Sequence, residues 1–179
     1  MDELIDVLDE FGNKTGIIKK RLDVKRSGEF HRAISVCIIN EAKDILIQKR
    51  HHSKNIYPNL WCFNVTGHVM SGESSIDASI REIKEEIGVD IIGEQLRYLY
   101  TYNVENIVGS DYISRLIVDQ FLVVMNVDIK EIVIDEAEVS DVNYISYEDL
   151  REVRDNNDSS FAPNWKEHME LFDIIEKEL

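Results

Sequence analysis

Two short apolar runs open the chain, Leu4-Ile5-Asp6-Val7-Leu8 and Thr15-Gly16-Ile17-Ile18, on either side of Glu10-Phe11-Gly12-Asn13. This pattern predicts an N-terminal β-hairpin with a glycine turn. Residues 33–39 form an apolar, β-branched run that predicts a strand, and after a polar turn at 40–43 the chain resumes with Ile45-Leu46-Ile47 before Gln48-Lys49-Arg50. Residues 98–104, 116–127 and 139–145 also read as strands. Helical periodicity is clearest over 74–87, where isoleucines at 76, 80, 83 and 87 follow a 4-3-4 spacing. Ser74 and Asp77 supply an S-x-x-D start to that helix and Gly88 a stop. Ser146-Tyr147-Glu148-Asp149 opens a shorter helix, and 164–179 makes a terminal one with Trp165, Met169, Phe172 and either Ile174 or Ile175 inward. Strands interleaved with two or three helices imply an α+β fold whose mixed sheet is covered by helices on its faces. No repeat or low-complexity linker breaks the chain, and only Pro58 and Pro163 interrupt it, so residues 1–179 read as one domain.

Charge narrows the function. Asp and Glu number 35 against 20 Lys and Arg, a formal net charge of −15. Such a chain repels a phosphate backbone, so no nucleic-acid partner is expected, whereas excess carboxylates suit divalent cations. Cys37 and Cys62 sit among apolar neighbours and read as small buried core residues, not a disulfide. No apolar run approaches the roughly 18 residues of a membrane span, and the acidic N-terminus lacks a signal-peptide pattern, so no membrane partner and a cytoplasmic location are expected.

The chemistry is concentrated between Gly67 and Val89. Glu82, Glu85 and Glu86 fall on one arc of the 74–87 helix, roughly opposite the isoleucines. An amphipathic helix in an acidic protein ordinarily has a solvated glutamate face of this kind. Here, however, Gly67, Glu73, Arg81, Glu82, Ile83, Glu85, Glu86, Gly88 and Val89 match G-x5-E-x7-R-E-U-x-E-E-x-G-U, with U aliphatic, at every specified position. Chance agreement in one window is roughly 10⁻⁸ from average residue usage. The segment resembles the Nudix box, and the resemblance implies a Nudix-type α/β/α sandwich. Like charges at i, i+3 and i+4 repel, so three carboxylates there gain nothing unless a cation sits among them. By the resemblance, Glu82, Glu85, Glu86 and the Gly67 carbonyl are metal ligands for Mg²⁺ or Mn²⁺. Glu82 would orient or deprotonate the attacking water, while Glu73 and Arg81 would pair to pin the loop against the helix.

Further matches point to the branch that contains isopentenyl-diphosphate isomerases and their hydrolase relatives. They are His31-Arg32-Ala33, Gln48-Lys49-Arg50, Ser53-Lys54, Pro58-Asn59-Leu60-Trp61, Gly67-His68 and Phe161-Ala162-Pro163-Asn164-Trp165. In that pattern Arg50 and Lys54 hold the diphosphate, the alternative being ordinary solvated charge. His31 and His68 match two imidazole ligands of the isomerase metal site, or else serve hydrogen-bonded structural roles, and the position of a further histidine holds Val24. Thr66 stands where the isomerases carry a catalytic cysteine. Cys62, four residues earlier on a presumed strand, would lie about 13 Å from it. Asp119, a carboxylate inside an apolar strand, is either an additional metal ligand or base or a residue pointing to solvent. Trp61 and Phe63 alternate along a strand and read as core.

Three functions follow from the resemblance. The first is a Mg²⁺-dependent hydrolase cleaving a diphosphate linked to another moiety, such as a nucleoside diphosphate derivative. The second is an isopentenyl-diphosphate isomerase-like enzyme, and the third a ligand-sensing domain without turnover. The intact glutamate triad favours turnover, and Thr66 with Val24 favours hydrolysis over isomerisation. The expected partner is a small-molecule diphosphate, with selectivity placed in loops such as 103–112, and a homodimer is compatible with the sequence.

Overall fold

The computed structural model describes residues 3–107 and 113–178. The hairpin forms as expected from β1 (Leu4–Leu8) and β2 (Lys14–Lys20), paired antiparallel. Gly12, at φ 86°, makes the turn, and the Asp9 carboxylate accepts from the backbone N–H groups of Phe11 and Asn13. A short helix, α1 (Arg21–Ser27), follows directly and is closed by Gly28 in the left-handed region. The pattern of hydrophobic positions does not reveal it, because Val24 is its one buried apolar side chain and joins only Ile5 and Val7.

β3 (Phe30–Ile39) is the spine of the sheet. It runs parallel to β8 (Ile113–Val124) along its whole length and antiparallel to β6 (Val65–His68) on its other edge. β7 (Arg97–Ile107) extends the sheet beyond β8. β4 (Asp44–Arg50), reached by the 40–43 turn, pairs with β5 (Trp61–Cys62) and β9 (Val139–Ser146). Of the selectivity segment expected at 103–112, residues to Ile107 continue β7, and 108–112 lie outside the described residues.

Alternation along β3 divides the core into two layers. Ile34, Val36 and Ile38 face α2 (Ser75–Ile87) together with Phe121 and Val123 of β8. Cys37 and Ile39 face the other way, toward α3 (Tyr147–Asp155) and α4 (Met169–Glu178). The result is a mixed sheet between helices. α2 has the expected capping box between Ser74 and Asp77 and ends at Gly88, φ 73°. Ile83 and Ile87 are fully buried, whereas Ile76, in the first turn, is exposed. The terminal helix begins with a 3₁₀ turn, Trp165–His168, which shifts its inward face. Trp165, His168, Leu171, Phe172 and Ile175 are buried, and Met169, expected inward, is exposed.

Candidate active site

α2 is laid so that its glutamate edge meets β6. Glu86 is buried and Glu82 nearly so, and only Glu85 is exposed as a solvated face would be. The contact with β6 is close enough to require glycine: a Cβ on Gly67 would stand 2.0 Å from the Glu82 Cδ and 2.1 Å from its Oε1. Arg81 fixes the loop before the helix. Its Nε and Nη2 donate to the two oxygens of Glu73 at 2.9 and 3.0 Å, and Nη2 also donates to the His68 carbonyl at 2.9 Å. Glu73 in turn accepts from the Met70 N–H.

The three carboxylates share an arc of α2 but have separate partners. Arg81 Nη1 donates to both Glu82 Oε1 at 2.7 Å and Glu85 Oε2 at 3.0 Å, so a guanidinium stands between them. Glu86 instead accepts from Gln48 Nε2 at 2.7 Å. Among the described residues no three His, Cys, Asp or Glu side chains form a ready-made metal group. The donor chemistry still fits a hard cation. Glu82, Glu85, Glu86 and the Gly67 carbonyl are an all-oxygen set on adjoining elements, and rotation of Glu85 at the surface would release one carboxylate from Arg81. Electrostatics agree: burial raises the Glu82 carboxyl above its usual range, and burial with the charge of Glu82 pushes Glu86 up to about 8.

Beside this edge lies a cleft of about 410 Å³ with Thr66, Gly67 and His68 in its wall. Arg50 and Lys54 enter it from β4 and the loop that follows, Arg50 steadied by donation from Nε to the Ile56 carbonyl and Lys54 by an ion pair with Glu138. His68 stacks on His31, with ring centroids 5.3 Å apart and planes within 9°. His31 is fully buried behind it, and burial draws its imidazole down to about 4.

The profile of the NUDIX domain matches residues 29–165. The chain belongs to the Nudix family. Nudix hydrolase 3 of Arabidopsis thaliana is 31% identical over 97% of this chain, although the match spans only 23% of that protein's length. Isopentenyl-diphosphate Delta-isomerase 1 of Photorhabdus laumondii is 29% identical over 97% of this chain and 96% of its own. The crystal structure of DR0079 from Deinococcus radiodurans shares the fold, with a TM-score of 0.67 at 20% identity over 98% of both chains.

Within this Nudix fold Asp119 stands apart from the cleft. Successive residues of β8 face opposite sides, so Val118 lines the cleft and Asp119 turns toward α2. Its oxygens are engaged by Arg32 Nη1 at 2.9 Å, Thr101 Oγ1 at 2.6 Å and Ser75 Oγ at 2.6 Å. Neither the ligand nor the solvent-facing reading describes it: it is a buried tie between β3, β7, β8 and the start of α2. Trp61 is half-buried at the cleft wall, while Phe63 is core. Cys62 is half-buried and shares the cleft wall with Thr66, because Phe63 and Asn64 break the strand between β5 and β6. Burial pushes the Cys62 thiol up to about 11 and keeps it protonated at neutral pH. Sequence reasoning missed Arg21 and Lys25 on α1 and Tyr102 and His168 at the other end of the cleft, where Asn164 of the 161–165 match also lies. The i, i+4 spacing of Arg21 and Lys25 was the available signal, and it has meaning only once α1 is known to be a helix. Lys25 is buried, and its ammonium is lowered to about 7 by desolvation and then by Arg21.

Proposed function

We propose that this Nudix protein is a Mg²⁺- or Mn²⁺-dependent hydrolase of a diphosphate linked to another moiety, and that residues 1–179 act as one Nudix unit. The contact of Glu82 with Gly67 carries the reading, because it brings the carboxylate edge of α2 to a glycine that also lines a cleft holding Arg50 and Lys54. Glu82, Glu85, Glu86 and the Gly67 carbonyl would hold the cation, which when bound supplies charge stabilisation to the phosphoryl oxygens as the bridging bond breaks. Arg50 and Lys54 bind and orient the diphosphate, and Glu82, its carboxyl raised by burial, receives the proton of the attacking water at an oxygen beside Gly67. The Glu73–Arg81 pair keeps α2 and the preceding loop in register for these roles.

The reaction is tested by screening diphosphate compounds with Mg²⁺, identifying the products, and repeating the best substrate with Glu82→Gln. Turnover is expected to fall on the order of 10²-fold in that variant while its melting temperature is kept. Full activity of Glu82→Gln would remove the assignment. The match to the Photorhabdus isomerase supports a second reading, and isopentenyl diphosphate with Mg²⁺ and Mn²⁺ separates the two. We expect no dimethylallyl isomer, because Thr66 offers a hydroxyl with no accessible anion near neutral pH and the Cys62 thiol is held protonated.

A further inference from the structure

The start of the terminal segment brings Asn164, Glu167 and His168 into the cleft wall, beside Phe63 and Tyr102. His168 is only 2% exposed, and its Nε2 lies 3.0 Å from the Asn164 amide nitrogen. The same amide faces Glu167, whose carboxyl is raised by burial and drawn back by hydrogen bonding from Asn164. An imidazole nitrogen and a carboxylate can both accept, so the amide is turned with its NH₂ toward the two of them, and Nε2 takes a hydrogen from it. Desolvation, which lowers His168 to about 4, keeps the ring neutral. A neutral imidazole that accepts at Nε2 carries its own hydrogen on Nδ1. That N–H is therefore a buried donor, and it has no acceptor among the described residues. Leaving it unpaired costs stability, whereas a phenyl ring at 168 would pack against Phe63 and Tyr102 without that cost.

We propose that Asn164 holds His168 in its Nδ1–H form as a specificity-determining donor, which selects a diphosphate whose attached group is uncharged and presents a hydrogen-bond acceptor. The inference rests on the diphosphate reading and narrows the moiety that reading leaves open. Arg50 and Lys54 of the same cleft take the anionic part, and a volume of about 410 Å³ leaves room for a linked group. Glu167, beside His168 in the wall, repels a second anion there. A hydrocarbon chain would cover the Nδ1–H without pairing it, so its binding keeps the cost of the orphaned donor. A carbonyl oxygen or a ring nitrogen removes that cost, and a site built around such a pairing rejects the analogue that lacks it far more strongly than a missing methylene is rejected.

The test reads the nitrogen first. In the full chain carrying isotope-labelled histidine, long-range proton–nitrogen correlation near neutral pH should find the His168 hydrogen on Nδ1. Adding uridine methylenediphosphonate with Mg²⁺ should move that N–H resonance downfield. Calorimetry then compares this probe with isopentyl methylenediphosphonate, which carries the same unhydrolysable bridge on a hydrocarbon chain. Wild type should prefer the uridine probe at least about tenfold, and His168→Phe, which keeps a ring of similar size, should shrink the preference to within about threefold by losing affinity for the uridine probe alone. A hydrogen on Nε2, an Nδ1–H resonance indifferent to the uridine probe, or a preference that survives in His168→Phe would each overturn the inference, the first two without any variant. Binding of neither probe would remove the diphosphate reading and this inference with it. Isopentyl binding as tight as uridine binding in wild type would remove the inference alone and leave the diphosphate reading standing.

Discussion

Glu86 and Gly67 show how single residues can be set against stability or against substitution for the sake of a site. Glu86 is buried with one hydrogen-bond donor, Gln48, and its carboxyl is raised by burial and by Glu82. Glu86→Gln keeps an acceptor for Gln48 and removes the charge, so in EDTA it should unfold about 1–2 kcal/mol less readily than wild type. The same variant should lose most of the stabilisation that Mg²⁺ confers on wild type, about 2.7 kcal/mol at a hundredfold excess over Kd. Paired thermal melts with and without Mg²⁺ read both effects, and a variant that keeps the full Mg²⁺ response would take Glu86 out of the cation site. Gly67 is constrained by space alone, since its φ is not in the left-handed region. Gly67→Ala drives a methyl into the Glu82 carboxylate and should cost on the order of 10²-fold in kcat, because a displacement of about 1 Å at a catalytic group is enough for that. If kcat survives, the Glu82–Gly67 contact is packing and nothing more.

At the scale of elements, what the sequence reveals depends on whether an element carries its own boundaries. α2 does: its isoleucine spacing, Ser74–Asp77 box and Gly88 stop are all local, and the box, the stop and the stripe beyond Ile76 appear in the structure. Ser74→Ala removes the acceptor for the Asp77 N–H and should cost about 1 kcal/mol, measured by denaturant unfolding. An unchanged midpoint would show that packing against β3 alone holds the helix start. The N-terminal hairpin and the first long strand were legible for the same reason, through apolar, β-branched runs bounded by polar or glycine turns. α1 was not, because seven residues with one buried apolar side chain leave no periodicity to read. The parallel pairing of β3 with β8 joins segments more than 80 residues apart and has no local signature. Asp119 fails on the same ground, since alternation shows that it leaves the cleft face but cannot show that Arg32, Thr101 and Ser75 wait on the other side. Within the site, the Nudix box was fully legible as a motif, yet the guanidinium between Glu82 and Glu85 became visible only with the side chains placed.

At the scale of the whole molecule the terminal segment reaches the cleft, and His168 is one of the residues by which it lines it. Its ring meets Phe63 and Tyr102 edge-on, with centroids 4.9 and 5.8 Å away, and Nε2 is 3.0 Å from the Asn164 amide nitrogen. Nδ1 is buried with no hydrogen-bond partner among the described residues, and desolvation lowers the imidazole to about 4. An unfolded histidine takes its proton near 6.5. Between these two values the unfolded chain binds a proton that the folded chain refuses, so stability must fall as pH drops from about 6.5 to about 4, by up to about 3 kcal/mol from this group. The chain's excess of carboxylates acts differently: their protonation below about 4.5 relieves self-repulsion in a molecule of net charge −15, while paired acids such as Asp6 and Glu29, lowered by Lys14 and Lys19, lose their partners only at still lower pH. The His168 contribution is therefore isolated by difference. Urea unfolding of wild type and His168→Gln at half-unit steps from pH 7 to pH 4 should give a wild-type curve that descends more steeply across the window by about 1.4 kcal/mol per pH unit at most. Parallel curves would mean that the folded imidazole accepts its proton at an ordinary pKa, and that the far end of the cleft admits water to Nδ1.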